Sequence, residues 1–307
     1  MPPPVTITEG PDDGPATTGR WMAGKKWLGR HHQYRLMSVI AEDRLGALWR
    51  AENAFLSQPV TTRVVSEALG SDPEFVSRFR TIMDRVSRNV AHPNAAAVFS
   101  YNWGDDGPTQ FVVMEAIDGE TLADWLGRAR GLDTARSLKI IAQVADALQA
   151  AHAVGVIHGG LSPTTVMISS DDRVKVLDFG LGAAAWDRPA QDGTRDAYVP
   201  PEWVLGAKRR PSWDSYAVAV LLHHMLTGRA ELAEPEGFDT SRNGSMRPAA
   251  VDPAAAQALL PGLGEKAAEV WCRAFARDPR DRPTTKELAD ALRHTTGKGS
   301  RKREGTA

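Results

Sequence analysis

The sequence predicts an α+β fold of two lobes, a small β-rich lobe followed by a larger helical lobe. From residue 34 to residue 117, short runs rich in β-branched and aromatic residues alternate with turn residues, and one segment of helical period interrupts them. After Gly119 the apolar residues recur mainly at helical spacing. The chain has 307 residues, which is more than one hydrophobic core usually holds and therefore favours two packed lobes.

The first lobe is predicted to contain five strands and one helix. Asp105–Pro108 is predicted to form a tight turn between the last two strands. The helix is predicted over Pro73–Val90, because its apolar residues recur three or four positions apart. The predicted strands are Tyr34–Ile40, Ala47–Ala51, Val60–Val65, Val98–Trp103 and Phe111–Met114.

The second lobe is predicted to be helical, and the boundary between the lobes is expected at Ile117–Gly119. Thr284 and Glu287 have the spacing of a capping box, which marks the start of the last helix. The predicted helices are Thr121–Ala129, Thr134–Ala153, Asp214–Leu226, Gly264–Ala276 and Thr284–Arg293.

Both ends of the chain are predicted to be disordered and basic. Residues 1–33 are rich in Pro and Gly with basic residues towards their end, and residues 295–307 are mostly polar and basic. The lobes are therefore assigned to residues 34–117 and 118–294. Solvated tails explain the flanks as well as a nearby cytoplasmic membrane surface does.

Composition excludes several classes of protein. The 37 Lys and Arg residues nearly balance the 38 Asp and Glu residues, for a formal charge of −1, which argues against a general nucleic-acid surface. The single cysteine, Cys272, excludes an internal disulfide and a Cys-rich zinc site, and fits a reducing cytoplasm. No apolar run reaches the roughly 18 residues that a membrane-spanning helix needs.

Ordered motifs in the second lobe carry a family resemblance. His158-Gly-Gly-Leu-Ser-Pro163 is followed by Lys175-Val-Leu-Asp-Phe-Gly180, then by Tyr198-Val-Pro-Pro-Glu202 and Asp278-Pro-Arg-Asp-Arg-Pro283. This order resembles the protein kinase pattern H-R-D-L-K-P-x-N, D-F-G, A-P-E and a closing Arg-Pro element. His92-Pro93-Asn94 also fits the turn after the kinase αC helix. The resemblance covers residues 34–294 and is strongest to bacterial Ser/Thr kinases of the transmembrane receptor type.

The resemblance implies structural roles for several residues that match the family. Glu202 and Arg282 would form the buried ion pair that anchors the activation segment. Asp214 would bind the backbone of the catalytic loop, while His158 and Phe179 would lie in the apolar spine between the lobes.

The residues that would carry out phosphoryl transfer depart from the family pattern. Gly160 replaces the Asp that accepts the proton of the substrate hydroxyl, and this loss alone predicts a roughly 10²- to 10⁴-fold slower reaction. Ser162 replaces the loop Lys and Thr165 replaces the metal-binding Asn. Asp178 is the one matching residue that remains to meet a metal.

The nucleotide-binding residues depart from the pattern as well. Asp43 stands where the glycine-rich turn approaches the phosphates, and its charge is expected to repel ATP. Arg63 replaces the strand Lys, and Thr61 replaces the Ala that packs on adenine. The αC glutamate falls at Ile82 or Met83, with Asp84 near enough to compensate if the helix is rotated.

These departures lead to the interpretation of a catalytically inactive pseudokinase, with no catalytic, cofactor-binding or metal-binding residues. It resembles the pseudokinase region of actinobacterial MviN/MurJ-type peptidoglycan-precursor flippases, which implies the cytoplasmic face of the plasma membrane and a role in cell-wall control. The expected partners are an active transmembrane Ser/Thr kinase and an FHA-domain phosphothreonine reader, with no nucleic acid. The candidate phosphoacceptors are Thr295, Thr296 and Thr306.

Three alternatives stay open at this point. Asp178 and a displaced base could support residual kinase activity, and Asp178 with Arg63 could support an ATP-binding sensor. Each tail threonine could also be an ordinary solvated residue. Thr194 matches a structural element of the kinase activation segment and is the weaker phosphoacceptor candidate.

Overall fold

The computed structural model describes residues 27–29, 33–102, 109–129, 131–185, 197–204, 207–230 and 263–299. The predicted linker before residue 27, the predicted turn Asp105–Pro108 and Thr194 lie outside the described residues. Within the described ranges, no helix is both long enough and apolar enough to cross a membrane.

A six-stranded antiparallel sheet forms the first lobe. Five strands were predicted; the additional strand, Trp27–Leu28, lies in the segment that was predicted to be a disordered linker and pairs with the start of the next strand. The spatial order of the sheet is β1-β2-β3-β4-β6-β5, so the last two strands are exchanged relative to the chain. Gly46 begins β3 at φ 139°, and a Cβ there would lie 2.0 Å from the carbonyl oxygen of Val64, so this tight turn requires glycine. The strands are β1 Trp27–Leu28, β2 Tyr34–Asp43, β3 Gly46–Asn53, β4 Gln58–Val65, β5 Val98–Tyr101 and β6 Phe111–Glu115.

Two helices, α1 (Glu67–Gly70) and α2 (Pro73–Asn89), follow β4. The Asp72 side chain caps α2 by accepting from the backbone N–H of Glu74, and Pro73 suits the first turn because it lacks an N–H. The buried face of α2 consists of Phe75, Phe79, Met83 and Val86. The predicted helix is therefore confirmed, ending one residue earlier than expected.

The second lobe is helical, also as predicted. Its central helix, Pro211–Thr227, is buried on nearly all sides and ends at Gly228, which has the left-handed conformation usual after a helix. The helices in chain order are α3 Leu122–Arg128, α4 Thr134–Ala153, α5 Leu181–Ala185, α6 Pro201–Val204, α7 Pro211–Thr227, α8 Glu265–Arg273 and α9 Thr285–Gly299.

A small three-stranded sheet lies in the second lobe and was not predicted. It pairs β7 (Glu120–Thr121), β8 (Val166–Ile168) and β9 (Val174–Val176) in antiparallel order. Its runs are only two or three residues long, too short for an alternation of apolar and polar residues to show. The sheet matters for function because β8 follows the loop that contains Gly160 and β9 precedes Asp178.

Candidate functional site: the cleft between the lobes

Asp214, a buried residue of α7, accepts hydrogen bonds from the backbone of the loop that runs from His158 to Thr165. One carboxylate oxygen, Oδ1, accepts from the backbone N–H of Gly159 at 2.9 Å. The other, Oδ2, accepts from the backbone N–H of His158 at 2.9 Å and lies 2.7 Å from Nε2 of His152. Burial alone would raise the pKa of Asp214, but the contacts from His152 and His158 outweigh it and hold the pKa below its usual value. The predicted anchor is confirmed.

His158 and Phe179 pack together between the lobes, as the resemblance implied. Their ring centroids are 5.1 Å apart, and both side chains are buried. Nε2 of His158 lies 2.8 Å from the carbonyl oxygen of Leu177, which can only accept, so this nitrogen carries the proton. Burial lowers the pKa of His158 in spite of the nearby Asp214 and Asp178. The imidazole is thus a neutral structural group in this loop.

Gly160 lies beside a cavity of about 120 Å³ between the two lobes. A kinase has its proton-accepting carboxylate at this position, and here the glycine leaves it without a side chain. The residues that line the cavity also include the polar Asp43 and Ser162 and the apolar Trp203 and Trp213. The cavity therefore has room for a polar side chain that enters from outside.

Arg63 is the centre of a buried charged cluster. Its side chain lies on β4 and is fully buried. Nε and Nη2 donate to Oδ2 of Asp178 at 2.9 and 2.5 Å, and Nη1 donates to Oδ1 of Asp43 at 3.3 Å and to the carbonyl oxygen of Gly46 at 3.1 Å. Burial lowers the pKa of Arg63, but the charges of Asp178 and Asp43 outweigh it, so the net shift is upward. Arg63 thus stays charged in the cleft.

Asp178 has an unusual backbone and one unpartnered oxygen. Its φ is 60°, a left-handed conformation that costs free energy for a residue other than glycine. Oδ1 is buried and has no hydrogen-bond partner among the described residues, whereas Oδ2 takes both bonds from Arg63. A buried carboxylate oxygen without a donor is a rare feature, which an ion or a water molecule bound to that oxygen would explain.

The sequence led us to expect that Asp43 would direct an uncompensated charge into the cleft. In the structure its carboxylate is paired. Asp43 ends β2, and its Oδ1 accepts from the backbone N–H of Leu45 at 2.9 Å within the turn. Its Oδ2 accepts from the hydroxyl of Thr164 at 2.9 Å, and Nη2 of Arg63 lies 3.3 Å away. The carboxylate is therefore compensated by Arg63 and joins the first lobe to the loop of the second.

Helix α2 provides no acid to Arg63 among the described residues. Ile82 packs close to Gly180, where an added Cβ would lie 2.4 Å from Cγ1 of Ile82. Asp84, considered as a substitute, forms an i,i+4 pair with Arg88 at 2.8 Å on the exposed face. Asp178 and Asp43 are therefore the acidic partners of Arg63, in place of the αC glutamate of the kinase pattern.

The hydroxyl of Thr61 is engaged at the segment that joins the lobes. Thr61 is buried on β4, and its Oγ1 accepts from the backbone N–H of Ile117 at 3.3 Å. A ligand that used this N–H would first have to displace Thr61.

The predicted ion pair of the activation segment is confirmed. Glu202 in α6 accepts two bonds from Arg282, at 2.7 and 2.8 Å, in the parallel fork geometry that suits a guanidinium and a carboxylate. The side chain of Arg282 is fully buried and that of Glu202 is 11% exposed.

Two of the three candidate phosphoacceptors lie on the last helix of the described chain. The backbone of Thr295 and Thr296 lies in α9, which continues past residue 294, where the sequence placed the end of the lobe. Thr306 lies outside the described residues. Phosphorylation at all three stays a prediction. Among the described residues, no three His, Cys, Asp or Glu side chains cluster, so a metal held by protein side chains alone has no site there.

Comparison with known proteins decides the family. A family model described as protein kinase domain matches residues 80–294, which is most of the chain. The chain belongs to the protein kinase family. Crystal structures of the Mycobacterium tuberculosis PknI kinase domain superimpose with a TM-score of 0.65 at 23% identity, over 86% of this chain and 96% of that chain, which supports the shared fold.

Curated relatives in this family are bacterial Ser/Thr protein kinases. PknA of M. tuberculosis is 32% identical over 209 residues, which cover 66% of this chain and 48% of PknA. PknL of the same species is 31% identical over 265 residues, 85% of this chain and 63% of PknL. Pkn3 of Myxococcus xanthus is 31% identical over 283 residues, 85% of this chain and 49% of Pkn3. The chain therefore spans about half to two thirds of these relatives.

These relatives correct the functional interpretation drawn from the sequence. Because they are named Ser/Thr protein kinases, the expected scaffold, phosphorylated and read by an FHA domain in cell-wall control, is wrong. The expected inactivity rested on the groups missing from single motif positions. Asp43 was expected to present a repelling charge to ATP, whereas in the structure it belongs to one cluster with Arg63 and Asp178.

Proposed function

We propose that this chain is an atypical protein kinase domain that transfers the terminal phosphoryl group of ATP slowly, with one divalent cation at Asp178. The observation that carries the proposal is the buried, unpartnered Oδ1 of Asp178 beside Arg63. The sequence led us to expect no phosphoryl transfer at all. In this proposal transfer occurs, but it is slow because a base is missing at Gly160.

The charge of the cluster supports a cation at this place. Asp43 and Asp178 contribute two negative charges and Arg63 one positive charge, so the three side chains together carry one net negative charge. A nucleotide alone would be repelled by this charge. Adding a divalent cation would reverse its sign, so the cluster favours a cation together with a nucleotide.

The residues fit one magnesium ion better than two. Magnesium is usually held by one or two carboxylates together with substrate phosphates and water, and Asp178 supplies one such carboxylate. The hydroxyl of Thr165, at the position of the second metal ligand, already donates to the carbonyl oxygen of Ser162 at 3.0 Å and accepts from its N–H at 3.1 Å. A bound magnesium would supply charge neutralisation for the phosphoryl oxygens.

The chain's own residues provide position and charge but not a base at position 160. Arg63 keeps a positive charge beside the metal position, and Asp214 fixes the backbone N–H groups of His158 and Gly159. General base catalysis typically contributes about 10²- to 10⁴-fold. We expect the transfer rate to be lower than that of a matched protein with a carboxylate at position 160 by up to that factor.

The proposal is tested by phosphoryl transfer from labelled ATP to protein substrate, compared among wild type, Gly160→Asp and Asp178→Asn. Gly160 is absent from the positive-φ residues of the structure, so its backbone accepts an Asp. We expect Gly160→Asp to raise transfer by at least tenfold and Asp178→Asn to remove it. Asp171→Asn, at an exposed turn away from the cleft, is the matched control and should leave transfer unchanged.

Two outcomes would contradict the proposal. One is the absence of any transfer in wild type and in Gly160→Asp, both shown to be folded by circular dichroism. The other is transfer that persists in Asp178→Asn, which would place the metal elsewhere.

The location and the partners stay proposals from the sequence alone. The basic flanks support a site at the cytoplasmic face of the plasma membrane, within a longer membrane protein such as the MviN/MurJ type. A transmembrane Ser/Thr kinase as a partner likewise stays a prediction. Fractionation of cells that make the full-length protein would show whether it sediments with membranes, and recovery in the soluble fraction would contradict the proposed location.

A further inference from the structure

Three side chains form a continuous hydrogen-bonded row beside Gly160. Ser162 Oγ lies 2.9 Å from Thr164 Oγ1, and Thr164 Oγ1 lies 2.9 Å from Oδ2 of Asp43. Ser162 and Thr164 belong to the loop of the second lobe, whereas Asp43 ends β2 of the first lobe, 121 positions before Thr164. Asp43, Gly160 and Ser162 line the same cavity of about 120 Å³.

The direction of the hydrogen bonds follows from the number of protons. A hydroxyl has a single proton to donate, and Thr164 gives its proton to the carboxylate of Asp43, which can only accept. Ser162 must therefore donate to Thr164. The row is polarised towards Asp43, and Ser162 Oγ has two lone pairs, one beyond the capping contact with the backbone of Thr165, with which to accept from a donor at the Ser162 end.

We propose that Ser162, Thr164 and Asp43 form a proton relay that partly replaces the carboxylate missing at position 160. The inference rests on the proposed function, since it assigns the route of the proton in that reaction. Ser162 is the member that would contact the substrate hydroxyl, and Thr164 and Asp43 act through it. Because two hydroxyls intervene before the carboxylate, the relay is a poorer base than an Asp at position 160.

The proton balance of the step is complete without another reactant. The oxygen of the substrate hydroxyl forms a bond to the γ-phosphorus of ATP, the bond from that phosphorus to the bridging oxygen breaks, and ADP leaves. The proton of the substrate hydroxyl passes to Ser162 Oγ as Ser162 passes its own to Thr164 and Thr164 passes its own to Asp43. Asp43 ends protonated and returns the proton to water.

Arg63 contacts Asp43, the final proton acceptor of the relay, and this contact limits the relay. Both oxygens of Asp43 lie within 3.3 Å of the guanidinium, so the ion pair with Arg63 competes with the hydrogen bond from Thr164 for the same carboxylate. When Arg63 also pairs with the phosphate of a bound nucleotide, its attraction for Asp43 becomes weaker. The relay should therefore work best with the nucleotide in place.

The test is a double-mutant cycle between Asp43→Asn and Gly160→Asp, with the transfer rate from ATP to protein substrate measured at saturating concentrations of both. In the wild-type background we expect Asp43→Asn to lower kcat at least tenfold with a small change in KM for ATP. In the Gly160→Asp background the new carboxylate takes the proton, so Asp43→Asn should change kcat less than threefold. This coupling separates a role in proton transfer from the structural pairing with Arg63, which both backgrounds share.

Two further variants test the hydroxyl steps. Thr164→Val removes the relay hydroxyl at nearly constant volume and should lower kcat as Asp43→Asn does, whereas Thr164→Ser keeps a hydroxyl and should retain most of the rate. Glu42→Gln is the matched control, because it removes a carboxylate from the neighbouring exposed position. Circular dichroism and thermal melting establish that each variant is folded.

The outcomes distinguish the relay from the proposed function. Equal losses from Asp43→Asn in both backgrounds, or full activity of Thr164→Val, would overturn the relay and leave the slow kinase intact. The absence of transfer in every protein, Gly160→Asp included, would overturn the proposed function and the relay with it.

Discussion

At the scale of single residues, burial decides what the cleft can do. Arg63 keeps its charge in a fully buried position because two carboxylates face it, and His158 stays neutral in an equally buried position because burial lowers its pKa. Both residues were identified from the family pattern, since they occupy motif positions. The sequence could not show the partners of Arg63, because Asp43 and Asp178 lie 20 positions before and 115 positions after it.

His158 makes the stability of the protein depend on pH near neutrality. Its folded-state pKa lies below the ordinary value of 6.5, so the unfolded chain binds a proton more readily than the folded protein does. The contribution of His158 is fully present above about pH 6.5 and is lost as the pH falls below that value. We expect the free energy of unfolding of the wild type to decrease between pH 7.5 and pH 5.5.

The variant His158→Phe isolates this effect, since it keeps the ring and loses the titrating group. Its free energy of unfolding should change less between the two pH values than that of the wild type, measured by urea denaturation. The variant is expected to be less stable overall, because the carbonyl oxygen of Leu177 loses its donor. An equal pH dependence in both proteins would show that other groups cause it.

At the scale of elements, the short helix α6 depends on one ion pair. Glu202 joins this helix to Arg282, which lies shortly before α9, and the fork geometry uses both oxygens of the carboxylate. Arg282 also donates to the carbonyl oxygen of Ala276 at 3.0 Å. The pair therefore holds the residues after the activation segment against the helices of the second lobe.

We expect Glu202→Gln to destabilise the protein by about 3 kcal/mol, because the charge of Arg282 stays buried without its partner. Chemical denaturation measures this change. Asp278→Asn, which breaks an exposed pair with Arg280, is the control and should have no measurable effect. Equal stability of Glu202→Gln and wild type would mean that water replaces the carboxylate.

The elements show why sequence patterns found most of the fold but not all of it. Strands such as β3 and helices such as α4 are long enough for their apolar period to be visible, and the structure confirms them. The strands β7, β8 and β9 have two or three residues each, and their buried backbone groups are satisfied by pairing with segments distant in the chain. The candidate site could be predicted as a set of motif positions, but the contact of Thr164 with Asp43 depends on how the lobes close.

At the scale of the whole molecule, side-chain contacts across the cleft hold the lobes together. Arg63 and Asp43 of the first lobe meet Asp178 and Thr164 of the second, and Lys175 donates to Glu115 at 2.6 Å near the joining segment. The charged cluster is the part of this set that a nucleotide and a cation would change. Binding in the cleft should therefore be visible in the stability of the whole domain.

We expect ATP with magnesium to raise the melting temperature of the wild type, and ATP with a chelator to raise it much less. A ligand at 100 times its dissociation constant stabilises the folded state by about 2.7 kcal/mol, which a thermal shift measurement detects easily. The difference arises because the net negative cluster repels the nucleotide until a cation neutralises Asp178. Asp178→Asn should lose the dependence on magnesium, with each shift measured against its own ligand-free melting temperature. Equal shifts with magnesium and with chelator in the wild type would mean that the nucleotide binds without a metal, and that the charge of the cleft does not control its occupancy.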